Sequence, residues 1–418
     1  MAQAVAPVPP APHMSGVRCS PIRQVLRALV LVLCGAAAPL LAFEFALFVF
    51  GPFLPGDYQL GLFMVTHGRY GQFHAPSTVA WFRTDEYRSR VQTNRLGLRG
   101  GEVSAARTLG VGRILVAGDS FVEARQVNET ETLPSVLAAS LNGHQSGSLA
   151  GSPSTSACEV INAGVAGWGT GEEYVYLREE GLRLQPDLVV MVFYLGNDVT
   201  NNLRRADPAP GWHTGPGFRV GADGGLEALP FALGPEESAV STMLRRFSLA
   251  YTYLESGVLA KLADGEDADA APGVGRHELF AADESAAIRR GWRLTEALLA
   301  AIKEETERAG SRLLLVAAPT AYQVHAEEQR KFLKSDRSKR AEVQIDGPNR
   351  RLAGIAEQLG VPFFDLLPVF TRIAPNTRLY FRQDPHWTVA GNSVAGTNVA
   401  RELRARPDLL PAGCQRVD

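Results

Sequence analysis

The sequence predicts an α/β protein, a three-layer α/β/α sandwich around a mainly parallel sheet, behind an N-terminal transmembrane helix. Three observations predict it. Charge-free apolar runs such as Ile114–Ala117 and Leu188–Tyr194 read as strands buried on both faces. They alternate with longer helix-patterned segments, the order that places helices on both faces of a parallel sheet. Residues 28–43 carry no charge at all, and the apolar character continues to Phe50 past the single Glu44.

The amino end sets the topology. Residues 1–17 are rich in Pro and Ala and are expected to be disordered. Arg18, Arg23 and Arg27 precede the apolar run, and no acidic residue precedes Glu44. That asymmetry keeps the N-terminus cytoplasmic and puts the rest of the chain outside the cytoplasmic membrane. A cleaved signal peptide is the competing reading. The apolar stretch runs on past the small residues of GAAAPLLAF, which favours an uncleaved anchor. The expected organisation is a cytoplasmic tail at 1–24, an anchor at 25–50, a stem at 51–110 that packs on a main domain at 111–405, and a C-terminal tail at 406–418.

The net charge is −2, with no domain-sized basic patch, so nucleic acid is excluded as a first partner. The basic residues are mostly Arg, which points weakly to a GC-rich bacterial genome. Four cysteines show no CxxC and no His/Cys ligand cluster, so no metal and no cofactor is expected. Cys158 and Cys414 fall on the extracytoplasmic side, where a disulfide persists, but their spacing does not decide whether they pair.

In the main domain, a strand at 113–117 is expected to lead into a helix at about 121–142 and a polar loop at 143–157. A strand at 159–165, a helix at 172–183 and a strand at 187–194 follow. Residues 201–282 break the rhythm with prolines, glycines and an acidic run at 264–269. They read as an insertion with one amphipathic helix near 240–262, either a cap over the site or a surface excursion. The alternation resumes with a helix at 284–309, a strand at 312–319, helical segments over 322–359, a strand at 361–366 and a helix at 388–405.

Polar residues sit where the strands end. Ser120 follows RILVAGD, Gly164–Gly169 follow the second strand, Asn197 follows the third, and Asp384 and His386 lie before the last helix. In a parallel sheet such carboxyl ends share one edge and can converge. A serine needs a base to become a nucleophile, and His386 is the natural one. Asp384, two residues earlier across a stiffening Pro385, can reach the other ring nitrogen. An oxyanion would need preplaced donors, and the Ser120 N–H, a glycine-loop N–H and the Asn197 amide offer them. Each has a plainer reading: Ser120 and Asp119 as a helix cap, Asn197 as a turn cap, Gly164 as a turn residue, Trp168 as packing. His325 reads as a surface residue. His67, His74, His144, His213 and His277 show no partner pattern.

GDS at 118–120, NAGVAG at 162–167, GND at 196–198 and DPHW at 384–387 fall in one order, one block per expected strand end. Together they resemble the SGNH (GDSL-type) hydrolase family over about residues 113–405. The resemblance implies a flavodoxin-like sandwich and a serine esterase that forms an acyl-enzyme, with an acetyl ester as the expected substrate. Carried over, Ser120 is the nucleophile, His386 the base and Asp384 its orienting acid. The Ser120 N–H, Gly167 N–H and Asn197 form the oxyanion hole. The anchor, the stem and the 201–282 insertion depart from the simplest members. Asp-x-His-Trp is also similar to the variant in periplasmic alginate acetylation proteins. That leaves open an O-acyltransferase acting on a cell-envelope polysaccharide, with a membrane-bound acyltransferase as partner. A catalytically inactive glycan-binding module is the remaining alternative.

Overall fold

A computed structural model describes residues 21–50, 59–143, 158–207, 215–231, 240, 243–244, 247–254, 276–334 and 342–415. The expected tail before residue 21, most of the 143–157 loop, the 264–269 acidic run, His144 and His213 lie outside these residues. The chain divides into two units, residues 1–50 and 51–418.

The first unit is the helix Pro21–Phe50, 30 residues with Pro39 inside it. At 1.5 Å per residue it is about 45 Å long, more than the ~30 Å of a bilayer core. Its Ile22, Leu26, Leu33, Leu40 and Phe48 are exposed. It is long and apolar enough to cross a membrane, a description that a signal sequence also meets.

The second unit is built on a five-stranded, all-parallel sheet. Numbering strands along the chain, β1 (Met64–His67) pairs β2 (Gly71–His74), and β3 (Val79–Arg83) pairs β4 (Arg88–Gln92), both as antiparallel hairpins. The sheet itself contains β5 (Gly112–Gly118), β6 (Cys158–Gly164), β7 (Leu188–Tyr194), β10 (Arg312–Ala318) and β11 (Phe363–Asp365), in the order β11-β10-β7-β5-β6. A small hairpin of β8 (Phe218–Val220) and β9 (Leu226–Ala228) lies in the insertion.

The apolar strands divide their side chains strictly by face, because successive strand residues point to opposite sides. Leu115, Ala117, Val189, Met191, Phe193, Leu313 and Leu315 face one core, with Val175, Tyr176, Ile288, Trp292, Leu298, Ile302, Leu352 and Ile355. Those partners come from the helices Thr170–Glu179, Ala286–Arg308 and Gly347–Leu359. Ile114, Val116, Leu188, Val190, Val192, Leu314 and Val316 face the other core. Helices Leu133–Asn142, Leu367–Ile373 and Val389–Ala405 cover that side with Leu137, Phe370, Val399 and Leu403. This is the three-layer arrangement the alternation predicts. Each fully buried Val, Leu or Phe contributes about 1.5–3 kcal/mol, so the two-sided burial of the central strands anchors the molecule.

Two expectations change. The helix over 121–142 is broken into Ser120–Glu123, a 3-10 turn at Glu129–Glu131, and Leu133–Asn142. Ala124 takes the left-handed conformation that ends the first piece, and Thr132 caps the last by accepting from the Ser135 N–H. The helix over 172–183 starts at Thr170 and ends in a 3-10 turn, Gly181–Leu184. Of the helix near 240–262, the described part includes Leu249–Leu254. Cys158 and Cys414 form a disulfide, Cα to Cα 4.6 Å.

The segment before β5 is tied closely to the short helix that begins at Ser120. Arg99 is fully buried and donates to the Glu123 and Val127 carbonyls, while His74 lies 3.3 Å from the Glu123 carboxylate. Phe63, Ala80, Phe82, Tyr87 and Val91 form a small apolar cluster of their own, with Phe381 packed against it.

Candidate active site

Ser120 stands where β5 turns into the Ser120–Glu123 helix. The turn is built by Asp119, whose Oδ1 accepts the Phe121 N–H at 2.9 Å as the helix N-cap. The next strand leaves no room for a side chain: a Cβ on Gly164 would sit 2.3 Å from the Glu123 nitrogen. Asn162, in the same block, donates to the Val122 carbonyl at 2.9 Å and accepts from the Gly164 N–H at 3.0 Å. The NAGVAG block therefore clamps strand β6 against the helix that begins at Ser120, and the Gly164 N–H is already used.

Asp384 and His386 arrive on a separate hairpin. Tyr380 bridges Trp387, the Phe381 N–H donates to the His386 carbonyl, and the Thr388 N–H to that of Leu379. Arg382–Pro385 form the tip. At its base His325 accepts the Leu379 N–H on Nε2 at 3.2 Å. His325 is buried, against the surface expectation, because it serves as this anchor. Burial and the nearby Arg378 push its pKa below the ordinary value, which keeps Nε2 an acceptor.

The hairpin brings His386 Nε2 to 2.7 Å from Ser120 Oγ. On the other side of the ring, Nδ1 is held by Asp384 Oδ1, which also accepts the His386 N–H at 2.9 Å. Asp384 Oδ2 accepts from the Tyr87 hydroxyl and the Gln126 side chain, both at 3.3 Å. Burial works to raise the Asp384 pKa. The His386 hydrogen bond and charge, with Gln126, outweigh it and hold the carboxyl down at about 2. An ionised acid behind the ring fixes the tautomer that leaves Nε2 able to take a proton from Ser120. Phe121 packs edge-on against Trp387, 4.9 Å between centroids, and lies 5.0 Å from the His386 ring, so the imidazole is held sterically as well.

The candidate oxyanion donors lie on three neighbouring turns. Among the described residues nothing accepts from the Ser120 or Gly167 N–H. Gly167 occupies the third position of a Val165–Trp168 turn with φ +80, and a Cβ there would meet only Gln72 Oε1 at 3.9 Å. Asn197 does not cap its helix with its side chain. Its amide instead donates to Asp119 Oδ2 at 3.3 Å, which ties the GND turn to the GDS turn. Trp168 is buried against Tyr70, Phe73 and Tyr176 and donates to the Gln72 carbonyl, so it packs and does not line the site.

Behind these turns the field is acidic. Asp119 is buried, which pushes its pKa up to about 6 although the Phe121 N–H, His386 and Asn197 oppose the rise. Glu173 and Asp198 are buried too. Desolvation raises both well above the ordinary range, reinforced for Glu173 by Asp119 and for Asp198 by Glu173. Among the described residues no three carboxylates, imidazoles or thiols gather into a metal-holding group.

Sequence reading missed Tyr87, Gln126, Phe121 and His325. All four act by contact with residues distant in the chain, and no local motif marks them.

Residues 276–417 match the family model described as the SGNH hydrolase-like domain of acetyltransferase AlgX. That segment contains Asp384 and His386 and does not reach back to Ser120. No curated protein matches the chain. Two similar solved structures are LAE5, an alpha/beta hydrolase enzyme from the metagenome of Lake Arreo, Spain, and Axe2, an acetylxylan esterase from Geobacillus stearothermophilus. LAE5 is 12% identical, with 72% of this chain and 96% of that one covered and a TM-score of 0.37. Axe2 is 13% identical, with 71% and 96% covered and a TM-score of 0.36. The sheet places the first three sequence blocks at the ends of the adjacent strands β6, β5 and β7, a separate hairpin brings the fourth beside them, and the segment that carries this fourth block is similar to the SGNH hydrolase-like domain.

Proposed function

We propose that the chain is a serine esterase that takes an acyl group, an O-acetyl group first among them, from an ester onto Ser120. The observation that carries this reading is the continuous line from Ser120 Oγ through His386 to Asp384. His386 Nε2 removes the hydroxyl proton as Oγ attacks the ester carbonyl, and the Ser120 and Gly167 N–H groups with the Asn197 amide receive the oxyanion. His386 then returns the proton to the leaving alcohol, which departs and leaves the acyl group on Ser120. In the second half, His386 deprotonates the acceptor that releases the acyl group, and Ser120 recovers its proton.

Water as that acceptor makes the chain a hydrolase. A sugar hydroxyl makes it an O-acyltransferase, and the family model favours that second reading because the domain it describes is an acetyltransferase. The substrate would then be a cell-envelope polysaccharide, with a membrane-bound acyltransferase as the acyl source. We place the catalytic unit outside the cytoplasmic membrane on a single N-terminal span. Arg23 and Arg27 at the start of the helix and the Cys158–Cys414 disulfide support that orientation.

The test is p-nitrophenyl acetate turnover by the full chain in detergent, with and without a polysaccharide acceptor. Acetylated acceptor in the products marks transfer, and acetate alone marks hydrolysis. Turnover undiminished in Ser120→Ala would remove the reading. A reporter fused after residue 55 tests the topology, and activity confined to the cytoplasm would refute it.

A further inference from the structure

Resting on the esterase reading, we propose that Glu86 is a positioning residue for the Asp384–His386 pair, which makes the β3–β4 hairpin a working part of the active site. The tip of the Tyr380–Trp387 hairpin turns three consecutive backbone N–H groups the same way. All three end on one side chain. Glu86 Oε1 accepts from Arg382 at 2.6 Å, and Oε2 accepts from Gln383 at 2.7 Å and from Asp384 at 3.0 Å. Successive N–H groups of this kind form a concave donor site that calls for an anion. Burial acts to raise the Glu86 pKa, and the three donors outweigh it and lower it, so the carboxylate is kept charged.

Glu86 is itself fixed from below. Its own N–H and that of Tyr87 both donate to Thr84 Oγ1, and the Thr84 N–H donates to the Tyr87 carbonyl. Tyr87 adds a second grip on the same target: its ring lies 5.2 Å from that of Phe381, and its hydroxyl donates to Asp384 Oδ2. Two adjacent residues of one hairpin thus hold the backbone and the carboxylate of Asp384. Without Glu86 the tip donors would have to find water or the Asp384 side chain, and the second choice would turn that carboxylate away from His386. Glu86 makes no hydrogen bond to Ser120 or His386, so its effect passes through Asp384.

A double-mutant cycle tests this. The full chain in detergent is assayed on p-nitrophenyl acetate as wild type, Glu86→Gln, Asp384→Asn and the double variant. Labelling of Ser120 by a fluorophosphonate probe reads the same cycle where turnover is slow. Glutamine keeps the shape but turns an NH2 group toward the donors. Glu86→Gln is expected to lower kcat about tenfold with KM changed less than about twofold, the scale of a small misplacement of a catalytic group. In the Asp384→Asn background the same substitution should cost less than about twofold, because there is no carboxylate left to position. An equal loss in both backgrounds, or no loss in the wild-type background, overturns the proposal. Should Glu86→Gln not fold, Glu86→Asp replaces it in the cycle: its shorter carboxylate keeps the charge but does not reach all three donors, and its smaller loss must also vanish beside Asp384→Asn. Ser120→Ala separates the two readings. Full activity in it removes the esterase assignment, whereas an inactive Ser120→Ala beside a fully active Glu86→Gln removes only the positioning role.

Discussion

Ser120 Oγ and His386 Nε2 are 2.7 Å apart although 266 residues separate them in the chain. One is fixed by a cap at the end of a central strand, the other by a hairpin anchored at its base and its tip. Neither hydroxyl nor imidazole can be replaced by a neighbour, because no other titratable side chain hydrogen-bonds Ser120 among the described residues. Ser120→Ala is therefore expected to lower kcat for p-nitrophenyl acetate by about 10,000-fold or more, with the thermal midpoint unchanged. A loss below about tenfold would mean that another group carries the acyl chemistry.

Asp384→Asn tests the orienting bond. The asparagine amide would point either an NH2 or a carbonyl at Nδ1, and the NH2 would favour the tautomer with its proton on Nε2. That tautomer cannot accept from Ser120, so kcat should fall about 1,000- to 10,000-fold at neutral pH. The loss in Asp384→Ala should be no larger. If Asp384→Asn retained more than a tenth of wild-type kcat, Asp384 would be only a hairpin residue.

How much of this was legible depends on distance along the chain. β5, β7 and β10 could be read because continuous apolar runs have few other uses. The four blocks could be read because each is local. The break at Ala124 was hidden, since a left-handed alanine leaves no sequence mark, whereas Thr132 with Pro134 one residue into the next helix is a legible cap signal. The β8–β9 hairpin likewise turns on Asp223 and Gly224, the latter at φ +85. Tyr87 and Asp384 are 297 residues apart, and no periodicity or motif encodes such a meeting.

Asp119 should impose a pH dependence on stability. Its folded pKa is raised from 3.8 to about 6, chiefly by burial. The folded state therefore holds this proton more tightly than the unfolded chain. The stabilisation is full below pH 3.8 and is lost as pH rises through about 6, a swing on the order of 3 kcal/mol. Asp119→Asn keeps an oxygen for the Phe121 N–H and removes the charge. Its unfolding free energy, measured from pH 4 to 8, should be flatter than that of the wild type. Parallel profiles would show that Asp119 does not titrate in this window.

Gly164 and Gly167 lie three residues apart and should fail differently. An alanine at 164 drives its Cβ into the backbone of Val122 and Glu123, at 2.6 and 2.3 Å, and backbone cannot yield. Gly164→Ala should cost about 3 kcal/mol or more and leave little folded protein. An alanine at 167 meets only Gln72 Oε1, at an ordinary contact distance of 3.9 Å, but must hold φ +80, at about 1–2 kcal/mol. Gly167→Ala should fold with a slightly lower midpoint and lose kcat by about 10- to 100-fold, as its N–H rotates away from the oxyanion. Wild-type turnover in a folded Gly167→Ala would take this residue out of the proposed oxyanion hole.

The Cys158–Cys414 disulfide should matter for stability and not for catalysis. Cys158 opens edge strand β6, and Cys414 lies against the start of β5, where a Cβ on Gly112 would sit 2.6 Å from its sulfur. Ser120 follows the opposite end of β5, about seven strand residues and some 23 Å away at 3.3 Å per residue. The bridge closes a loop of 256 residues. Losing such a constraint costs about 2–5 kcal/mol, mostly through the freedom regained by the unfolded chain. Cys414→Ser should lower the thermal midpoint by the same amount as dithiothreitol does in the wild type. Dithiothreitol should do nothing further to the variant, and kcat at 25 °C should stay within about twofold in both, because the sheet end that carries Ser120 is held by the Asp119 cap and the Asn162 clamp. A large fall in kcat with no change in the midpoint would show instead that the bridge reaches the active site.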